Sequence, residues 1–513
     1  MTRKVRVFVT ACLLLLAACS SLPPRPPMAE VFALPPASDG ELARRTIPAE
    51  AQHAGESGFR LISNGTEAYA ARMFSAQVAA RSLDIQTYIW HADLTGKMLA
   101  QRALAAADRG VQVRILIDDL DARAKNAGFA ALDAHPNIEV RLFNPFASRS
   151  GTLRRMGEFG TGFRRLNHRM HNKSWIVDNR VALVGGRNLG NEYFGADENG
   201  NFVDLDVLMV GPVVREVSAS FDRFWNATSN YPIALVNAGP ATPEALARLR
   251  VLLDAVPAEL AASRYAQVLR EDPAVQRLLA NEGSLHWSER WAFASDDPLK
   301  LEATGAPGQR SSVLATLVPA MRAARHALNV VSPYFVPGRA GSDFLVARAG
   351  DGIDVRILTN SLAATDVAAV HGGYARYRDE LLAGGVRLWE LKPDSSITPS
   401  QFSLRGSSGS SLHTKAMVID DSHVFIGSYN LDPRSTAINT EQGVLIANPD
   451  LARELTLIFD EHLAGEHAWQ VQQMDGRLRW SDGQTTWTRD PQAGISRRVQ
   501  AWLTRWLPVH SQL

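Results

Sequence analysis

His171-Asn-Lys-Ser-Trp-Ile-Val-Asp178 and His413-Thr-Lys-Ala-Met-Val-Ile-Asp420 are one pattern written twice, 242 residues apart. The interval is the same for the histidine (413 − 171), the lysine (415 − 173) and the aspartate (420 − 178). It continues forward through Gly185-Gly-Arg-Asn188 and Gly427-Ser-Tyr-Asn430. Backward, it joins Val111-Gln-Val-Arg-Ile-Leu116 to Ile353-Asp-Val-Arg-Ile-Leu358, and Leu83 to Trp90 echoes Leu328 to Phe335 at nearly that interval. The chain is therefore a duplication. A duplicated core explains shared apolar positions, but it does not explain shared His, Lys, Asp and Asn.

Each copy has an α/β rhythm. In the first, Thr66 is placed to cap a helix to about Ser82, followed by a strand from Asp84 to Trp90, a helix from about Gly96 to Asp108 and a strand from Val111 to Ile117. A strand at Ile138–Phe143, two short runs at Ser174–Val177 and Val181–Val184, a strand at Leu205–Val210 and a helix at Val213–Trp225 complete it. Strands separated by helices predict a sheet covered on both faces. The expected division is a first domain over 59–235, a connecting segment over 236–310, a second domain over 311–465 and a C-terminal extension over 466–513.

In extended chain, positions 171 and 173 face one side, so His171 and Lys173 enter one site together while Asn172 points away; His413 and Lys415 do the same. Asp178 and Asp420 close the following run, where a carboxylate can orient nearby donors. Asn188 and Asn430 follow a strand behind small residues that permit close approach. Gly186 and Ser428 are equivalent positions, of which Ser428 alone can donate a hydrogen bond. Neither copy holds both a nucleophile and a separate proton donor of comparable strength, but the two together do. One histidine can attack phosphorus while the other protonates the departing alcohol, with two lysines and two asparagines on the phosphoryl oxygens. Such a site needs no partner chain, metal or cofactor. His168 and His171 could share a metal, but no further ligands follow at a usable spacing and the lysines would repel a dication.

The twofold His-x-Lys-x4-Asp pattern, each copy followed by a Gly-rich turn and an asparagine, resembles the paired signature of the phospholipase D superfamily, over most of the chain from about Phe59. Asp84-Ile-Gln-Thr-Tyr-Ile-Trp90, Gly185-Gly-Arg-Asn-Leu-Gly-Asn-Glu-Tyr-Phe194, Phe202-Val-Asp-Leu-Asp206 and the ending Leu507-Pro-Val-His-Ser-Gln-Leu513 resemble its bacterial cardiolipin synthase C-like branch. The resemblance implies a duplicated α/β/α sandwich with pseudo-twofold symmetry and one site between the halves. It implies His171 as nucleophile, His413 as general acid, Lys173, Lys415, Asn188 and Asn430 on the phosphate, and Asp178 and Asp420 as supports. Asp206 and Glu441 look like the family's acids that orient site residues; as solvated or fold-stabilising carboxylates they have an ordinary alternative. Gly186 stands where many members have serine, although this branch commonly has glycine.

The first residues form a separate unit. Arg3, Lys4 and Arg6 precede an apolar run from Val7 to Ala17, and Leu16-Ala17-Ala18-Cys19 resembles a bacterial lipoprotein signal over 1–18 in which Cys19 becomes the lipidated first residue. A plain signal peptide or an uncleaved anchor is the alternative. Ser20 resembles the outer-membrane sorting choice. A proline-rich tether is expected over 19–58, including Pro23-Pro-Arg-Pro-Pro27. The only cysteines are Cys12 and Cys19, which excludes a disulfide framework, a thiolate metal site and a cysteine nucleophile.

Formal charge is +1, and it becomes −2 without Arg3, Lys4 and Arg6. A slightly acidic, membrane-tethered chain favours a phospholipid substrate and makes nucleic acid an unlikely partner. The resemblance implies phosphatidyl transfer forming cardiolipin; phospholipid hydrolysis, a nuclease and a non-catalytic envelope scaffold are the alternatives. Three segments stay open in meaning. Gly406-Ser-Ser-Gly-Ser-Ser411 is either a gating loop or a slack insertion. Tyr374-Ala-Arg376-Tyr-Arg378 either offers an arginine to a headgroup or is surface helix. Val499, Trp502 and Trp506, flanked by Arg497, Arg498 and Arg505, either meet a membrane or pack on the protein.

Overall fold

A computed structural model describes residues 22–122, 125–149, 158, 160, 162–236, 241–393 and 409–506. The signal reading, with Cys12 and Cys19, lies outside the described residues, as do 406–408 of the Ser/Gly stretch and the C-terminal Leu507 to Leu513.

The strands of the first half are β1 (Ser57–Ile62), β2 (Ser82–Thr87), β3 (Gln112–Asp118), β4 (Ile138–Phe143), β5 (Ser174–Val177), β6 (Val181–Gly185), β7 (Gly200–Val203), β8 (Asp206–Val210), β9 (Asn230–Pro232) and β10 (His286–Ser288). The second half supplies β11 (Trp291–Ser295), β12 (Ala327–Val331), β13 (Asp354–Asn360), β14 (Arg387–Leu391), β15 (Gly409–Leu412), β16 (Ala416–Ile419), β17 (His423–Gly427), β18 (Gln442–Ala447), β19 (Ala468–Met474), β20 (Arg477–Ser481) and β21 (Thr486–Trp487). One sheet runs β10-β1-β8-β6-β5-β2-β3-β4-β9 and the other β11-β18-β17-β16-β12-β13-β14-β19-β20-β21. The order from β1 to β9 matches the order from β11 to β19 strand for strand. In both, the three strands joined through helices are parallel and the rest antiparallel.

The expected elements form, with shifts of a few residues at their ends. The helix after β1 spans Gly65–Val78, and Asn64 rather than Thr66 caps it, accepting the Thr66 N–H at 2.9 Å. The next helix is Leu94–Asp108, capped by the Asp93 carboxylate on the Gly96 N–H. These two cover the outer face of the first sheet, and Ser312–Ala323 with Gly338–Gly350 do the same for the second. The inner faces share one core. It takes Phe59, Val184 and Phe221 from the first half and Val418, Ile426 and Leu455 from the second, with the helices Pro212–Asn226 and Pro449–Leu463 between the sheets. Each large side chain buried there contributes about 1.5–3 kcal/mol, so the halves form one folding unit.

The matching hairpins explain the aspartates. Asp178 and Asn179, like Asp420 and Asp421, sit in the left-handed region at φ 56°, 50°, 53° and 48°, a conformation that Asn and Asp tolerate best after glycine. From these turns the Asp178 carboxylate accepts the backbone N–H groups of Ala80, Arg81 and Ser82. Asp420 accepts those of Arg325, His326 and Ala327, which hold its carboxyl below the usual range although burial acts the other way. Both are supports that tie the hairpin to the start of the neighbouring strand.

Two stretches differ from the sequence expectation. From residue 22 onward the tether is seated on the first half: Gly40–Gln52 is a helix with Leu42 and Ala43 buried, and Arg180 bonds both the Ala37 carbonyl and Glu50. Proline removes amide donors, but the carbonyls of this segment still find partners on the domain. The stretch 236–310 is shared out between the halves, since β10 closes the first sheet beside β1 and β11 closes the second beside β18. Among the described residues no helix is long and apolar enough to cross a membrane.

Candidate active site

The two copies meet along a crossed pair of backbone contacts. The His171 N–H donates to the Thr440 carbonyl at 2.9 Å, and the Thr440 N–H returns to Arg169. The His413 N–H donates to the Val203 carbonyl at 2.8 Å. That second contact continues a short parallel ladder, β7 with β15, pairing Gly200–Val203 with Gly409–Leu412. Part of the Ser/Gly stretch is therefore a strand that lays one histidine onto the other half. Its small side chains suit this close pairing.

Each histidine ring is then fixed by an acid from the opposite copy. His171 Nδ1 lies 2.8 Å from Glu441 Oε2, and His413 Nδ1 lies 2.6 Å from Asp204 Oδ2. A carboxylate accepts, so each Nδ1 carries the proton and each Nε2 presents a lone pair. The Glu441 carboxylate also accepts from Ser428 Oγ at 2.5 Å and from Ser435 Oγ at 2.8 Å. Burial would raise the Glu441 carboxyl, but His171 and Lys173 outweigh it and carry it below the usual range. Burial raises Asp204 despite Lys415 and Arg187. The two dyads are thus alike in geometry, and their acids are shifted in opposite directions.

Asp206, expected to orient a site residue, does not. Its carboxylate pairs with Arg72 at 2.9 Å and Arg187 at 3.5 Å inside the first half. Asp204 takes the place instead. The strand register identifies it: Gly185 pairs with Asp206 and Gly427 with Gly443, so Asp204 and Glu441 both lie two residues before the matched position. Their separation is 237 (441 − 204), five fewer than the repeat interval, because the connecting loops differ in length.

The same register explains Gly186. A Cβ there would stand 2.2 Å from Asp204 Oδ1, whereas the equivalent Ser428 fits and donates to the longer Glu441. Glycine with aspartate and serine with glutamate are two ways of filling one space.

Lys173 Nζ donates to the His171 carbonyl at 2.6 Å, and Lys415 Nζ to the His413 carbonyl. The alternation read from the sequence holds, since Asn172 turns away to Ser295, Thr440 and Gln442. Burial is the largest influence on all four groups. It takes Lys173 down to about 7, helped by Lys415, and Lys415 down to about 8. His171 falls to about 4 despite Glu441, and His413 falls well below its ordinary value with both lysines and His171 adding to the effect. Four basic groups crowd one buried volume and depress one another's proton affinity, which is the electrostatic signature of a site built for an anion.

Asn188 accepts the Ile89 N–H at 3.2 Å and donates to Tyr193 Oη at 2.8 Å, so its amide is already partly committed. Asn430 Oδ1 is buried and has no hydrogen-bond partner among the described residues. Aromatic walls that the sequence reading did not single out complete the site. Tyr88 meets His171 edge-on with ring centroids 5.2 Å apart, and its ring centroid lies 5.3 Å from Lys173 Nζ; Tyr193 and Phe202 meet the His413 ring at 5.4 Å and 5.1 Å. His168 faces the carbonyls of Ile438 and Pro298, away from any shared ligand position with His171. Arg378 is buried between Glu390 and Asp490 and offers no charge to a headgroup.

A family model described as "Cardiolipin synthase, PLD-like domain" matches residues 71–225 and 317–463, one match in each half. The chain is 41% identical over 479 residues to cardiolipin synthase C of Escherichia coli (strain K12), covering 91% of this chain and 98% of that one. It is 25% identical over 424 residues to cardiolipin synthase A of Pseudomonas syringae pv. syringae (strain B728a), covering 82% and 71%. Among solved structures, phosphatidylserine synthase of Haemophilus influenzae Rd KW20 superposes with a TM-score of 0.54 at 13% identity, over 83% of this chain and 91% of that one. That likeness is one of fold.

Proposed function

The chain belongs to the phospholipase D superfamily, in its cardiolipin synthase branch, and from that premise we propose that it transfers a phosphatidyl group through a phosphohistidine to form cardiolipin. His171 Nε2 attacks phosphorus, and the P–O bond to the leaving alcohol breaks as His413 supplies that oxygen with a proton. The hydroxyl of a second phospholipid then gives its proton to His413 and attacks the phosphohistidine, which restores His171. Lys173 and Lys415 neutralise the oxygens as charge gathers on them, with Asn188 and Asn430 at the edge of the same space. A bound phosphodiester anion raises the depressed basicity of the cationic groups, so that His413 can hold the proton it must deliver.

The crossed pairing of His171 with Glu441 and His413 with Asp204 carries this reading. It makes one site from two copies and leaves both Nε2 atoms free. The inequality of the acids supports the order of roles. A phosphorylated imidazole is cationic, and Glu441, whose carboxyl is held below its usual range, is the better partner for it.

An enzyme acting on phospholipids works at the bacterial cell envelope. The finer reading, from residues 1–20, is a lipid on Cys19 and residence on the periplasmic face of the outer membrane; an intact mass without lipid on residue 19 would remove it. The test of function is incubation of the purified protein with mixed phospholipid vesicles and mass analysis of the products. Cardiolipin is expected. Phosphatidic acid alone would make the protein a hydrolase, and unchanged lipids would make it a scaffold.

A further inference from the structure

The C-terminal helix, Ile495–Trp506, is seated upside down for a soluble protein. Its inward face packs on the helix Ala368–Tyr374 so closely that a Cβ at Gly372 would stand 2.5 Å from the Ala501 carbonyl oxygen. Its outward face carries Ile495, Val499, Trp502 and Leu503, at helical spacings of four, seven and eight residues. These are 80%, 50%, 61% and 50% exposed, an apolar stripe turned to solvent. Scattered apolar residues on a surface are ordinary; a contiguous stripe on one twelve-residue helix is not.

Beside the stripe runs a cleft of about 750 Å³ between this helix and the β19–β20 hairpin. Arg477, Arg479, Arg489 and Arg505 line it, and none of the four has an ion pair among the described residues. Of the acids that line it, Asp490 is spent on Arg378 and His371, which leaves Asp379 alone. A protein of formal charge +1 thus gathers in one cleft four arginines without an ion pair among the described residues, next to an exposed apolar helix face. Apolar stripe plus flanking arginines is the arrangement of a helix that lies in an anionic lipid interface, its side chains in the acyl boundary and its cations among the headgroup phosphates.

The helix is also wired to the site. Arg497 donates to the Leu362 and Thr365 carbonyls, and the adjoining Asp366 accepts from Tyr334 Oη at 2.6 Å. The Asp366 charge reaches His413 and Lys415. The loop that the helix holds therefore borders the active site.

We infer that the Ile495–Trp506 stripe and the arginine cleft beside it are the surface with which this protein docks on an anionic phospholipid bilayer, setting the active-site mouth against its substrate. The inference rests on the phospholipid reading above, and its test needs no turnover. The full chain is reconstituted in phosphatidylcholine vesicles with brominated acyl chains, with and without phosphatidylglycerol. The readout is the tryptophan quenching that disappears in Trp502→Phe, a change at an exposed side chain that removes no core contact.

That difference signal should appear with phosphatidylglycerol and be weak without it. Each unpaired arginine near an anionic surface contributes about fivefold to the docked population at low ionic strength, so Arg479→Gln should lower the signal by about that factor. No quenching assignable to Trp502, or quenching indifferent to both phosphatidylglycerol and Arg479, would overturn the inference. So would its abolition by a short single-stranded DNA with no dependence on phosphatidylglycerol, which would assign the arginines to nucleic acid. A protein that docks but makes no product refutes the transferase reading alone; one that makes product without docking refutes this inference alone.

Discussion

Asp204 and Asp206 are two residues apart and both buried, and only one of them touches a histidine. Asp204→Asn replaces the acceptor 2.6 Å from His413 Nδ1 with a neutral amide. The lost charge-assisted hydrogen bond is worth about 1.5–3 kcal/mol, a factor of about 10 to 150 in rate. An asparagine that turns its NH2 toward Nδ1 also forces the proton onto Nε2, where His413 can no longer accept one from the incoming alcohol. The ceiling is the whole contribution of general acid–base catalysis, about 100- to 10,000-fold. The turnover of Asp204→Asn on phospholipid should fall within that range.

Asp206→Asn removes one end of a buried pair with Arg72 instead. Breaking such a pair costs about 3–5 kcal/mol of stability, so this variant should unfold at lower temperature while its folded fraction turns over near the parent rate. The assay is kcat at saturating substrate beside a thermal scan for each protein. An inert but thermally normal Asp206→Asn with an active Asp204→Asn would refute the assignment of the acids.

The glycine at 186 should be irreplaceable for the same reason: Gly186→Ser drives a Cβ into Asp204 and should lose about as much turnover as Asp204→Asn, whereas Ser428→Gly, which removes one bond to Glu441, should lose about tenfold or somewhat more; kcat of the two variants decides. Inorganic phosphate should inhibit best below neutrality. Lys173 and Lys415 lose their protons near 7 and 8 in the empty site, so the inhibition constant should climb as pH passes through that window, and a flat profile would mean that the lysines do not hold the anion. The depressed lysines also set a sign for stability. Between about 7 and 10.5 the unfolded chain binds more protons at Lys173 than the folded chain, so the contribution of this residue to stability rises with pH there. Because Lys173 and Lys415 supply the positive charge, chelation of divalent ions should leave turnover of a soluble short-chain phosphodiester largely intact; loss of activity restored by one particular metal would show a missing ligand.

The pattern of the repeated residues was enough to read the duplication, to place both histidines and both lysines together, and to find the supporting contacts of Asp178 and Asp420, because strand alternation and hairpin turns keep a fixed interval. What escaped was whatever depends on chain outside that interval. Asp204 sits after a loop five residues longer than its counterpart before Glu441, so the repeat interval counted back from Glu441 lands on Asn199, and only the β6–β8 register picks out Asp204. Tyr88 and Tyr193 belong to two segments that are held to each other within the first half, by the paired backbone of Ile89, His91 and Leu189 and by Asn188 on Tyr193, contacts between chain a hundred residues apart that no local pattern announces. The Ser/Gly stretch reads as slack because small residues favour loops, yet the backbone of Val203 gives Gly409–Leu412 a ladder partner that no local propensity announces. The segment after Cys19 reads as a tether from its prolines, although its carbonyls and the buried Leu42 hold it to the domain from residue 22 onward.

The central claim is that one histidine, His171, carries the phosphatidyl group. The most direct measurement is acid-quenched peptide mapping after reaction with a labelled phosphatidyl ester of an activated phenol, which departs without needing a proton. Label should appear on His171 in the parent protein and in His413→Ala, and none should appear anywhere in His171→Ala. Label on His413 in His171→Ala, with none on His171 in His413→Ala, would reverse the roles, and no label in any of the three proteins would contradict covalent catalysis itself.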